Sequence, residues 1–160
     1  MAWFRRAQGA SPIPPSEPED APEALTRRLR DLVVFVNARS GAMPAEAVVA
    51  ARRVTDVARE LLDDAAKDPT SDVHLIIAVG GIVDDYLPTT LNSYLALDPA
   101  IVDTPRPAGG TPSEHLVEQL DGLWLAGLDV LAAAQSRDVD RLVTQGNFLR
   151  TKFSGSDLDL

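Results

Sequence analysis

The sequence predicts an all-α fold: a bundle of five to six helices behind a disordered, proline-rich N-terminal arm. Three observations carry that prediction. Apolar residues make up 45% of the chain but aromatic residues only 5%, and Ala, Leu and Val dominate, a balance that suits helices better than sheets. Apolar residues recur at helical spacing along most of the chain. No hairpin dipeptide and no sustained period-two pattern marks a strand. At 160 residues the chain is long enough to bury one core without staples. The expected organisation is an arm over 1–22, a helical bundle over 23–153 and a flexible tail over 154–160.

In the arm, Pro12, Pro14, Pro15, Pro18 and Pro22 alternate with Ser and acidic residues, a composition that cannot bury a core. Trp3 and Phe4 beside Arg5 and Arg6 offer a contact to a membrane surface or a partner groove, although six residues bury too little apolar area to anchor a protein alone. The first helix runs from Pro22 to about Ala38, with Leu25, Leu29, Leu32, Val33 and Val36 on one stripe and Ser40-Gly41 ending it. The second starts at Pro44 and reaches about Lys67, where Asp68-Pro69 stops it. Val49, Val57, Leu61 and Ala65 mark its inner face, which Val54, Ala58 and Leu62 broaden; Arg52 is expected to pair with Asp56 and Arg59 with Asp63.

Ser71 caps the third helix, which extends to about Tyr86 and is apolar nearly all round, the signature of a central helix. Gly80 and Gly81 cost helical propensity and point to a close crossing by a neighbour. The same stretch, Val73 to Val83, overfills the core of one small bundle and leaves room for a homodimer. The fourth helix, Leu87 to Leu97, has Pro88 in its first turn and Leu91, Tyr94 and Leu95 inward. A Pro- and Gly-rich loop from Asp98 to Gly110 follows. Thr111-Pro112-Ser113-Glu114 is a capping box that opens a fifth helix running to about Gln135, lined by Leu116, Leu120, Leu123, Trp124, Leu128 and Leu131. Gly122 and Ala126 there predict a close helix contact. Ser136 caps a sixth helix, Asp138 to Phe153, with Val139, Leu142, Val143, Leu149 and Phe153 inward.

The formal net charge is −9, so the chain repels nucleic acid, and a protein partner is the expected one. All but Lys67 and Lys152 of the fifteen basic residues are arginine. There is no cysteine, which excludes disulfides and thiolate metal sites. No secretory signal is visible, and the longest apolar stretch falls short of the roughly 20 residues needed to span a bilayer, so a cytoplasmic location is expected. A di-iron bundle needs Glu-x-x-His pairs, but Ser71 and Pro112 stand three before His74 and His115. The acidic stripe Asp56, Glu60, Asp63 and Asp64 is neutralised by neighbouring arginines and reads as a solvated face. His74 reads as structural and His115 as exposed. No Ser–His–Asp or lysine nucleophile arrangement emerges; the expectation is no metal, no cofactor and no enzyme activity.

One rival reading comes from LVVFVNARSG (Leu32 to Gly41) and LIIAVGG (Leu75 to Gly81), each of which reads as an apolar strand entering a glycine turn. Together they resemble the nucleotide-contacting segments of diacylglycerol-kinase-like lipid kinases, with Asn37, Ser40, Gly41, Gly80 and Gly81 as matches. Ala38 stands where those enzymes have proline, and Ile82-Val83-Asp84 replaces their Asp-Gly-Thr.

Asp84 and Asp85 beside Tyr86 form the best candidate for acid–base work, since paired carboxylates can hold and release protons. They open the segment DYLPTTLNSYLAL. Its residues Tyr86, Leu87, Pro88, Thr89, Thr90 and Leu91 resemble the Tyr-Leu-Pro-Thr-Thr-Leu hallmark of the XpaC-like family, and DVDRLVTQGNFLRTKF, Asp138 to Phe153, is similar to that family's closing helix. The resemblance implies a small helical bacterial protein with an accessory role near envelope or toxic-anion stress. The family takes its name from hydrolysis of an indolyl phosphate dye, which implies a phosphate-handling hydrolase centred on Asp84 to Leu91 as the alternative. A plain physical reading stands beside both: Pro88 opens a helix and Thr89 or Thr90 satisfies free amides of its first turn.

Overall fold

Residues 21–68 and 73–154 are described by a computed structural model, and every regular element among them is helical. The order is α1 (Pro22–Arg39), a 3-10 turn (Ser40–Ala42), α2 (Ala45–Lys67), α3 (Val73–Gly81), a π-helical turn (Ile82–Tyr86), α4 (Leu87–Leu95), α5 (Pro112–Gln135) and α6 (Val139–Phe153). Trp3, Phe4, Arg5 and Arg6, the Ser71 cap and residues 155–160 lie outside the described residues. The kinase-like reading is overturned, because Leu32 to Arg39 is helical, Ser40 and Gly41 form the 3-10 turn, and Gly80 and Gly81 close α3.

The bundle is organised around α2 and α5, which run parallel. Arg53 of α2 lies 3.9 Å from Asp121 and stacks over the Trp124 ring at 5.0 Å from its centroid; one turn further along both helices, Val57 faces Gly127. A Cβ added to Gly127 would stand 2.8 Å from Val57 Cγ1, too close for any L side chain while the valine stays in place. Around that point the two helices bury small residues: Ala47, Ala50, Ala51, Ala58 and Ala65 on α2, Ala126 and Ala133 on α5. Small side chains bring the backbones together, and α2 also packs against α1 and α3. The expected close contact at Gly122 lies elsewhere: Gly122 faces α6, with Lys152 Nζ and Phe153 Cζ at ordinary distances of 3.6 and 3.7 Å from an added Cβ.

Helix three is therefore not the central element. Leu75, Ala78 and Val79 are buried, but Val73 and Ile77 on the opposite side are 62% and 58% exposed. An all-apolar sequence makes burial affordable on any face; whether a face is buried depends on neighbours, and nine residues of α3 have neighbours on one side only. Val49 is also exposed, because the buried arc of α2 runs through Ala47, Ala51, Val54 and Ala58, and Val49 points away from it. Leu128 and Val139 likewise face outward, on the outer sides of α5 and α6. Arg59 pairs with Asp56 at 3.0 Å instead of with Asp63, and Arg52 donates to Asn37 Oδ1 at 2.9 Å, tying α2 to α1.

The expected capping box of α5 is present. Thr111 Oγ1 accepts from the Glu114 amide at 3.1 Å, and Glu114 Oε2 accepts from the Thr111 amide at 2.8 Å. The cap of α6 is Asp138, whose Oδ1 accepts from the Arg141 amide at 2.9 Å. Ser136 closes α5 instead, in a Schellman turn whose Asp138 amide donates to Ala133 O at 3.1 Å and whose Arg137 amide donates to Ala134 O at 3.0 Å. Arg137 takes the left-handed conformation there, φ 53°, where glycine is the usual residue.

Two stability measurements by urea unfolding check this account. Gly127→Val should cost about 1–3 kcal/mol by overpacking, with Val57→Ala in the same chain restoring part of the loss. Arg137→Gly should gain about 1 kcal/mol by relieving the left-handed strain.

Candidate functional site

Asp84 to Leu91 forms the joint between α3 and α4, and its shape follows from two residues. Pro88 has no amide proton and its ring crowds the carbonyl four residues back, that of Asp84, so a regular α-turn cannot pass through it. The chain widens into the π turn just upstream, where the Leu87 amide donates to Ile82 O, five residues back. This i, i+5 spacing stacks Tyr86 over Gly81. A Cβ on Gly81 would lie 2.6 and 2.7 Å from Cε2 and Cζ of the Tyr86 ring, so the glycine makes room for a side chain of its own helix and not, as the sequence suggested, for a crossing neighbour.

Both carboxylates of the joint have partners inside the fold. Asp84 accepts two hydrogen bonds from Arg28 of α1, from Nε at 2.7 Å and Nη2 at 2.9 Å. This bidentate pair is partly exposed, and its geometry fixes the entry of α1 against the π turn. Asp85 accepts from Thr89 Oγ1 at 3.1 Å. Tyr86 is buried against Phe153 of α6, with ring centroids 6.3 Å apart and planes tilted by 41°. Leu87, Thr90 and Leu91 are core residues, and Pro88 is half-buried. The two carboxylates thus serve different partners. Burial pushes the Tyr86 phenol above its usual pKa, the neighbouring Asp85 adds to the rise, and Arg150 opposes it. Among the described residues no group of three or more His, Cys, Asp or Glu is arranged to hold a metal ion, and no helix is long and apolar enough to cross a membrane.

A feature that motif reading missed lies at the end of the bundle where α2 and α5 begin. The loop from Ala96 to Gly110 is a built structure. The amides of Ile101, Thr104 and Gly109 donate to Asp98, Ile101 and Arg106 carbonyls, each at 2.9–3.0 Å, and the Ser113 amide donates to Val102 O at 3.0 Å. Gly109 and Gly110 have φ of 93° and 71°, values that favour glycine, and His115 Nε2 lies 2.9 Å from Gly109 O. Held this way, the loop walls an open cleft against the start of α2 and the end of α4. Its inner part, about 530 Å³, is lined mainly by apolar groups, among them Met43, Pro44, Tyr94, Leu95, Leu97 and Val102. The outer part, about 700 Å³, shares Pro44, Asp103 and Ser113 with the inner one and adds Glu46, Thr111, Glu114, Val117 and Glu118. On its floor Tyr94 OH and Ser113 Oγ, both buried, are hydrogen-bonded at 2.9 Å. The capping box and the Pro/Gly loop were the only sequence signals near it; the apolar side chains that meet there come from three separate stretches.

Comparison with protein-family models, with curated proteins and with solved structures finds no match to this chain.

The raised Tyr86 pKa has a measurable consequence. The native state holds this proton more tightly than the unfolded chain, so its stabilisation is complete below the unfolded value of about 10 and is lost as pH rises through the folded value. Stability measured between neutral pH and pH 11 should fall less steeply in Tyr86→Phe than in the parent chain.

Proposed function

We propose that the chain is a non-enzymatic protein-interaction module of the cytoplasm, and that it binds through the cleft beside the loop from Ala96 to Gly110. The cleft carries this reading: an ordered loop holds open an apolar concavity with a few polar groups, the usual make-up of a binding site. Long loops kept in compact domains are most often functional ones. The resemblance of Tyr86 to Leu91 to the XpaC-like hallmark fits an accessory role of this kind, in an envelope or toxic-anion stress assembly.

The phosphate-handling alternative has less support. A general acid or base must be free to reach a substrate, whereas Asp84 is clasped by Arg28 and Asp85 by Thr89. Trp3, Phe4, Arg5 and Arg6 are the candidates for a membrane-surface contact and lie outside the described residues.

Filling the cleft tests the reading. Ala42 is exposed at its mouth, so Ala42→Trp should leave the core intact and abolish specific capture of partners from a lysate; Val34→Trp, on the exposed face of α1, should not. Equal capture by the parent chain and Ala42→Trp would remove the cleft from consideration.

A further inference from the structure

We infer that the cleft takes a peptide segment of a partner protein in which bulky apolar side chains stand next to two basic residues. This rests on the interaction-module reading and names the partner's chemistry. The argument begins with what lines the cleft. The inner part is walled mainly by aliphatic groups such as Met43, Leu95, Leu97 and Val102, which gain from contact with an apolar side chain, with Asp103 at the edge it shares with the outer part. The outer part carries Glu46, Asp103, Glu114 and Glu118, and among the described residues no Lys, Arg or His lines either part. Glu114 has one oxygen engaged in the capping box, and Glu118 lies 3.6 Å from His115 Nδ1. The local charge is therefore negative over an apolar floor.

That combination selects among ligands. Anions are repelled by the rim. A purely apolar ligand would fill the floor and draw nothing from the carboxylates. A cation without apolar bulk would meet only the rim, where exposed pairs are worth little. A segment that joins both satisfies both parts. The Tyr94–Ser113 hydroxyl pair adds a polar point on the floor: its two O–H groups have one hydrogen bond between them, which leaves one donor suited to a peptide carbonyl.

The test is fluorescence anisotropy on the full chain at low salt, with a carboxyfluorescein-labelled peptide Ala-Leu-Phe-Arg-Arg-amide as probe. Saturable one-to-one binding is expected, weakening as salt rises. Replacing both arginines of the probe by Glu, or its Leu and Phe by Ser, should weaken binding at least tenfold. So should Glu46→Lys with Glu118→Lys in the protein. Glu60→Lys with Asp63→Lys makes the same change in net charge on the outer side of α2 and should leave affinity unchanged. No saturable binding, equal binding of the acidic probe, or equal loss from the two lysine pairs would overturn the inference. A tenfold tighter probe affinity in Arg5→Glu with Arg6→Glu would also overturn it, by assigning the cleft to the chain's own Trp3 to Arg6. If the probe fails while Ala42→Trp still abolishes partner capture, this inference falls and the interaction reading stands; if neither has an effect, both fall.

Discussion

The contact between Val57 and Gly127 is the constraint on which the rest of the bundle depends. A valine is stiff at χ1 and cannot swing aside cheaply, so the residue opposite must lack a side chain. With glycine there, and buried alanines above and below, α2 and α5 come close enough that no Cβ fits opposite Val57. Close approach matters more for this chain than for one rich in aromatic residues. A core built from Ala, Val and Leu fills space only if its helices come close, because there are few large side chains to bridge a wider gap. The remaining helices then take positions around the pair: α1 against α2, α6 against α5, and the α3–α4 rod across the space left between them.

That rod meets the others along its length only because it is not a straight α-helix. Pro88 forbids a regular turn, and the π turn absorbs the defect by adding a residue to one turn. The extra residue rotates everything downstream, so that Asp84 reaches Arg28 on α1 while Tyr86 turns to Phe153 on α6. One irregular turn thereby joins the two outermost helices. The Tyr-Leu-Pro-Thr-Thr-Leu segment is accounted for by this role, since Tyr86, Leu87, Thr90 and Leu91 are all spent in the core. A sequence motif of distinctive appearance can mark a joint as readily as a site.

Much of the fold is legible in the sequence because its signals are local. The leucine stripe of α1 and the capping box at Thr111 need only residues within a turn or two, and they predict their elements to within about a residue. The burial of α3 was not legible, since hydrophobicity all round says that a helix can be buried and not how many neighbours it has. The π turn was hidden for another reason: Pro88 is compatible with a helix start, and only the burial of residues on both sides of it forces the chain to stay helical through the proline. Gly127 passed unnoticed beside the more regular Gly122 and Ala126 pair, because which glycine meets a stiff side chain depends on the partner helix. The candidate site was the least legible part. Asp84 and Asp85 drew attention as adjacent carboxylates, whereas the cleft joins Met43, Tyr94, Val102 and Ser113, residues that no spacing rule connects.

The cleft and the core constraint are linked by helix polarity. Glu46 lies in the first turn of α2 and Glu114 in the first turn of α5, where a carboxylate offsets the positive end of the helix dipole. Each is explained by the stability of its own helix. Had α2 and α5 packed antiparallel, the two acidic starts would sit at opposite ends of the bundle and amount to nothing more. Arg53 beside Asp121 and Trp124, then Val57 beside Gly127, follow the same order along both helices, so the pair is parallel and both starts lie at one end, where the loop adds Asp103 and an apolar floor beneath them. Half of the acidic rim over the apolar cleft thus needs no charge placed there for binding alone: Glu46 and Glu114 arise from acidic first turns of two helices that begin side by side, and a partner with the complementary pattern has only to make use of them.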